Sequence, residues 1–189
     1  KETYLEQSDR PPLLSREQTR HFVVPRIVTR CIESLEKWGI YEEGLYRVPG
    51  RSSHAARLRA LWESPGTDLA MAEISPADLD VHAVCSVFKM YLRELPAPIV
   101  PHEIAAAMDQ ICAEESNDAV LATRLEPYIQ SLPFYEWYLR DITEHLGVLT
   151  EPKNVECTKM TLSNLALVLS PSLQISSTLT MTLVRCRPR

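Results

Sequence analysis

The stretch "DVHAVCSVFKMYLREL", Asp80 to Leu95, decides how this chain is read. Its apolar residues Val81, Val84, Phe88, Tyr91, Leu92 and Leu95 return every three or four positions, the period of one helix face rather than the alternation of a strand. Asp80 is suited to an N-cap and Pro96 to a terminator, because a carboxylate accepts from free first-turn N–H groups and proline lacks the donor that continues a helix. Upstream, "PRIVTRCIESLEKWG" (Pro25 to Gly39) repeats the pattern through Ile27, Val28, Cys31, Ile32, Leu35 and Trp38, with Pro25 in the first turn and Gly39 as the stop. Spacing of the same kind predicts helices at about 53–63, 101–113, 118–132, 134–149 and 160–169. Strand-type alternation hardly occurs, so the expected fold is all-α: a loose lead-in over 1–19, then one helical domain over 20–189.

The composition bounds the function. A chain of 189 residues with 45% hydrophobic content closes one core. Twenty Lys and Arg against 25 Asp and Glu give a net charge of -5, which argues against general attraction to nucleic acid or to an anionic membrane. No apolar run approaches membrane-spanning length. Five cysteines, an odd number without a C-x-x-C pair, suggest neither a disulfide framework nor a zinc knuckle, and a reducing, cytoplasmic setting is expected. The start at Lys1 without Met and the ending "LVRCRPR" suggest a piece of a longer protein, whose other regions would supply any recruitment to membranes.

The five glycines form no phosphate-cradling motif, so no nucleotide site of the chain's own is expected. Asp78, Asp80 and His82 in "DLDVH" have the look of a metal site, but Asp80 is better used as a cap. His21, His54, His102 and His145 are scattered without a metalloprotease or nucleophile motif, and no metal is expected.

Between the first helix and the next lies "EEGLYRVPGRSS", Glu42 to Ser53. Gly44 and Gly50 permit unusual backbone angles while Pro49 removes freedom, a combination able to hold the long side chain of Arg47 outward. Spacing alone leaves a second reading open: an ordinary surface arginine that caps a helix end or pairs with Glu42 or Glu43. Lys89 and Arg93 share one helical stripe, roughly 110–150° from the centre of the apolar one. Like charges four residues apart repel and need either solvent or an acceptor. They are two solvated residues, or supports for the Arg47 loop and for an anionic partner.

"EEGLYRVPG", "DVHAVCSVFKMYLRELPAPIVP" and "KMTLSNLALVLSPSL" stand in the order and approximate spacing of the three sequence blocks of RhoGAP domains, and the chain resembles that family over most of residues 20–175. The resemblance implies an all-helical module that acts on a Rho-family small GTPase of Rho, Rac or Cdc type. It also implies that the chain needs no cofactor, because the GTPase holds Mg²⁺ and GTP. Arg47 then falls on the family's arginine finger, and Lys89 and Arg93 on its basic pair, a brace for the finger loop and part of the partner-facing surface. Ser172 departs from the family's usual Asn, an expected contact to the GTPase, and Pro49 and Thr158 replace the more usual Ser and Asn. "TLTMTLVRCRPR" matches the family's ending poorly, so the final helix is expected to be lacking. The alternative is a RhoGAP-like module that binds a GTPase without activating it.

Overall fold

The computed structural model describes residues 24–63, 80–132 and 135–187. The expected lead-in over 1–19, and Asp78 of the "DLDVH" stretch, lie outside the described residues. Among the described residues there is no strand, and the helices are α1 (Arg26–Lys37), α2 (Ser52–Glu63), α3 (Val81–Arg93), α4 (His102–Glu114), α5 (Asp118–Gln130), α6 (Tyr135–Leu149), α7 (Pro152–Thr158), α8 (Leu162–Leu173) and α9 (Ser177–Arg185), with a short 3₁₀ turn at Gly39–Tyr41. The all-α expectation holds.

Helix α3 is the axis of the half that carries the Arg47 loop. It packs against α1, α2 and α8, and Val81, Ala83, Val84, Cys85, Val87, Phe88 and Leu92 are all buried. A helix covered on several sides needs an apolar surface wider than one stripe, which is why small and branched residues fill its first two turns. Burying a side chain such as Phe88 contributes roughly 1.5–3 kcal/mol. Asp80 caps α3 as its position suggests, accepting from the N–H groups of His82 and Ala83 at 3.1 Å each. Helix α9 serves the other half, packing against α8, α4, α6 and α5.

Three features depart from the expected pattern. Helix α8 runs past the expected end at 169 and includes Pro171. The carbonyl that proline leaves without its helical donor belongs to Leu167, which is 68% exposed, so water can take the bond. Helix α7 has no counterpart in the expected set because its buried residues are Asn154 and Thr158, which make no apolar stripe. Helix α9 falls in the segment that matches the family's ending poorly; Ser176 caps it, and Thr180 and Thr182 are buried beside Leu179, Leu183 and Val184.

Candidate functional site

The loop from Glu42 to Arg51 leaves the 3₁₀ turn, passes over α3 and enters α2. Its start is fixed at Gly44, whose N–H donates to the carbonyl of Thr158 at 2.7 Å. Gly44 has φ +73°, and an added Cβ there would sit 2.8 Å from a Val48 methyl and 3.6 Å from a guanidinium nitrogen of Arg47. Glycine thus supplies both the backbone angle and the room for the Val48 side chain, while the Arg47 guanidinium lies at ordinary contact distance. The N–H groups of Arg47 and Val48 both donate to the Gly44 carbonyl, at 2.8 and 2.9 Å, closing a tight turn. Leu45 and Tyr46 are fully buried, while Arg47, Val48 and Pro49 are exposed. Two anchors thus hold the backbone, and the next three residues face outward. Among the described residues no ion pair engages the Arg47 guanidinium, Glu42 and Glu43 included.

The far end of the loop is held against the start of α3. An added Cβ on Gly50 would lie 2.2 Å from the Ala83 nitrogen, so only glycine allows this close approach of two backbones. The Gly50 N–H points to the Ser86 hydroxyl at 3.4 Å, and the Arg51 N–H donates to the second carboxylate oxygen of Asp80 at 3.1 Å. One carboxylate therefore caps α3 and ties down the loop. Burial alone would push the Asp80 carboxyl up, but the N–H groups of Arg51, Ala83 and His82, together with the nearby His54, lower it below its ordinary value. Arg59 of α2 pairs with Glu94 through two nitrogens at 2.8 and 3.0 Å, securing α2 to the end of α3.

The two basic residues of α3 take different tasks. Lys89 donates from Nζ to the carbonyl oxygen of Tyr46 at 2.6 Å, one peptide before the Arg47 side chain. Burial, and then the charge of Arg93, hold its pKa below the usual lysine value, although Cys85 opposes this. Arg93 instead donates from Nη1 to the Ser172 hydroxyl at 3.2 Å, linking α3 to α8. Of the pair expected to brace the loop, Lys89 touches the loop backbone and Arg93 touches α8. Ser172, expected on the partner-facing surface, is only 3% exposed, its short side chain turned into the α3–α8 seam.

Tyr46 was visible in the sequence only as an aromatic beside the arginine, and its partners were not visible at all. It has φ +67°, an angle a non-glycine residue seldom adopts. Its backbone N–H faces the Cys85 sulfur, opposing the burial that pushes that thiol up to about 12. The Tyr46 hydroxyl lies 2.9 Å from Nε2 of His145, whose Nδ1 lies 2.9 Å from a carboxylate oxygen of Glu36. Glu36 is 109 positions from His145 in the chain, and His145 is 99 from Tyr46. No local spacing signals such a contact.

Residues 25–178 match the family model of the RhoGAP domain. Among curated proteins, the chain is 32% identical over 157 residues to the active breakpoint cluster region-related protein of Xenopus laevis, covering 79% of this chain and 17% of that protein. It is 34% identical over 169 residues to the GTPase-activating protein rrc-1 of Caenorhabditis briggsae, covering 87% and 20%. To human Rho GTPase-activating protein 24 it is 30% identical over 158 residues, covering 80% and 20%. The chain thus spans at most a fifth of the length of these relatives. Among solved structures, the BH domain from GRAF, the GTPase regulator associated with focal adhesion kinase, superposes with a TM-score of 0.71 at 25% identity, over 87% of this chain and 91% of that one.

Proposed function

The chain belongs to the RhoGAP domain family, and we propose that it docks on a GTP-loaded Rho-family GTPase and accelerates GTP hydrolysis by inserting Arg47 in trans. The observation that carries this reading is the contrast within three residues: Leu45 and Tyr46 are fully buried, and Arg47 is turned out with no ion pair among the described residues. An arginine kept for fold stability would be expected to engage one of the acidic residues beside it.

The chemistry suits a guanidinium. As the terminal phosphoryl group transfers to water, charge spreads over its oxygens and onto the leaving group, and the GTPase's own Mg²⁺ neutralises only part of it. A guanidinium carries a fixed positive charge on a planar fork and donates two parallel hydrogen bonds to phosphate oxygens, which a lysine ammonium does not reproduce. An inserted arginine is worth about 10³–10⁵ in rate, on the order of 4–7 kcal/mol of barrier, against at most about 1 kcal/mol for a surface ion pair. Mg²⁺ and GTP belong to the partner, and the domain contributes the finger and the surface that presents it.

The test is single-turnover GTP hydrolysis by Rho-, Rac- and Cdc-type GTPases, with the domain, without it, and with Arg47→Ala or Arg47→Lys. Acceleration of at least one GTPase is expected, most of it lost in both variants, while binding to the GTP-loaded partner changes by less than about tenfold. Binding without acceleration by the unaltered domain would instead identify an interaction module.

A further inference from the structure

Tyr46 is the residue on which the loop turns, and its buried surroundings do more than fill space. From the contact of Glu36 on α1, His145 on α6 and Tyr46 in the loop, we infer that these three form a positioning relay for Arg47, joining two helices to the backbone that carries the finger. This role presupposes the finger reading of Arg47 and adds residues to it.

A carboxylate only accepts, so the Glu36 contact places a hydrogen on Nδ1 of His145. In the neutral ring Nε2 is then an acceptor, and the Tyr46 phenol is the donor toward it. Burial first, then the charges of Cys85, Cys31 and Glu36, raise the phenol well above its usual pKa, so it keeps the proton that this bond needs. The Tyr46 ring also meets Phe88 edge-on, with centroids 5.9 Å apart, and His145 at 6.0 Å. Carboxylate, imidazole and hydroxyl in this order also activate nucleophiles. Here the hydroxyl belongs to a residue with no exposed surface, so no substrate reaches it and the chain of bonds has only the loop to act on.

What it acts on is the backbone angle. A left-handed tyrosine costs about 1 kcal/mol or more and persists only where its surroundings enforce it. Lys89 holds the carbonyl of Tyr46, and the relay holds the far end of its side chain. Released at the hydroxyl, Tyr46 gains rotational freedom about the bonds that aim the next residue. Small errors of aim at a reacting centre cost rate more than affinity.

A double-mutant cycle tests this on the full chain with any of the three GTPase types that it accelerates. Tyr46→Phe removes one oxygen and keeps the ring; the saturating hydrolysis rate is expected to fall about five- to thirtyfold, with the half-saturating concentration moving less than about twofold. On an Arg47→Ala background the same substitution is expected to change the residual rate by less than about twofold, because the misaimed group is gone. Glu36→Ala, at the partly exposed end of the relay, lowers the saturating rate in the same direction, and Glu36→Gln, which keeps an acceptor, recovers most of it. Without any partner, Tyr46→Phe and Glu36→Ala speed amide exchange at Arg47 and Val48. Unchanged exchange at both amides, an unchanged saturating rate in both variants, or an equal loss on the Arg47→Ala background each overturns the relay. Failure of Arg47→Ala itself to slow hydrolysis overturns the finger reading instead, which separates the two outcomes.

Discussion

The Lys89 ammonium lies 2.6 Å from the carbonyl oxygen of Tyr46, so a side chain on α3 grips the backbone one peptide before Arg47. Lys89→Met keeps the aliphatic stem and removes the grip. The expected result is faster amide exchange at Arg47 and Val48 and a fall in activated hydrolysis of about tenfold, of the size that misplaced catalytic groups produce. Lys89→Arg is not expected to restore either, since a planar fork does not place a compact donor at that carbonyl.

The same lysine sets an alkaline signature. Its pKa is lowered in the folded chain, chiefly by burial, so between that value and the ordinary one of about 10.4 the unfolded chain holds the extra proton. The cost of burying the charge is therefore fully present at low pH and is relieved as pH rises through this window. Stability of the unaltered chain should rise relative to Lys89→Met across the alkaline range in denaturant titrations. A parallel pair of curves would mean that Lys89 is charged equally easily in both states.

Gly50→Ala places a methyl 2.2 Å from the backbone nitrogen of Ala83. Neither partner is a flexible side chain, so the loop must lift from α3. Overpacking of this kind costs about 1–3 kcal/mol, and a lower thermal midpoint is expected together with reduced activation. An unchanged midpoint would show that the loop and α3 separate freely.

Helices α1 and α3 were legible in the sequence because each has a clear apolar stripe and a start or stop residue of known chemistry: Pro25 and Gly39 for one, Asp80 and Pro96 for the other. Helix α7 was not, because what it buries is polar, and the stops of α7 and α8 are Lys159 and Gln174 in the left-handed region, where the usual signal is glycine. Within the site, Arg47 stood out through its turn residues and Lys89 through its odd place on a helix. The Glu36–His145–Tyr46 contacts left no such mark, since two helices and the loop must pack together before those groups meet. The burial of Ser172 was hidden for a related reason: spacing cannot tell which side of a helical seam a small hydroxyl faces.

Asp80 joins two structures with one carboxylate, and its loss should be felt in both. Asp80→Ala removes the cap of α3 and the acceptor of the Arg51 N–H, with an expected cost of about 1–2 kcal/mol. Its pKa is lowered in the folded chain, so its contribution is present above the ordinary carboxylate range and is lost as pH falls through the depressed folded value. Asp80→Asn keeps acceptors without the titrating charge, and its thermal midpoint should fall less steeply under acid than that of the unaltered chain. Identical acid slopes would remove Asp80 from the acid response.

Ser172 separates two accounts of the partner-facing surface. On the sequence reading alone, an asparagine here would regain an amide contact and tighten binding to the GTPase. The structure places the serine 3% exposed, with its hydroxyl accepting from Arg93, so a larger side chain must push into the seam between α3 and α8. Ser172→Asn is therefore expected to cost about 1–3 kcal/mol in stability and to displace Arg93 rather than to add a contact. Ser172→Ala is the cleaner probe: it takes away one acceptor, worth about 0.5–1.5 kcal/mol, and leaves the exposed Arg93 head to water. Freed from its anchor, Arg93 should pay more entropy to meet a partner, which weakens binding in ground and transition state alike. That raises the half-saturating concentration and leaves the saturating hydrolysis rate within about twofold. Titrating a GTP-analogue-loaded GTPase against both variants, alongside their thermal melts, checks the account. Tighter binding by Ser172→Asn with an unchanged melt would mean that position 172 turns outward to meet the partner directly.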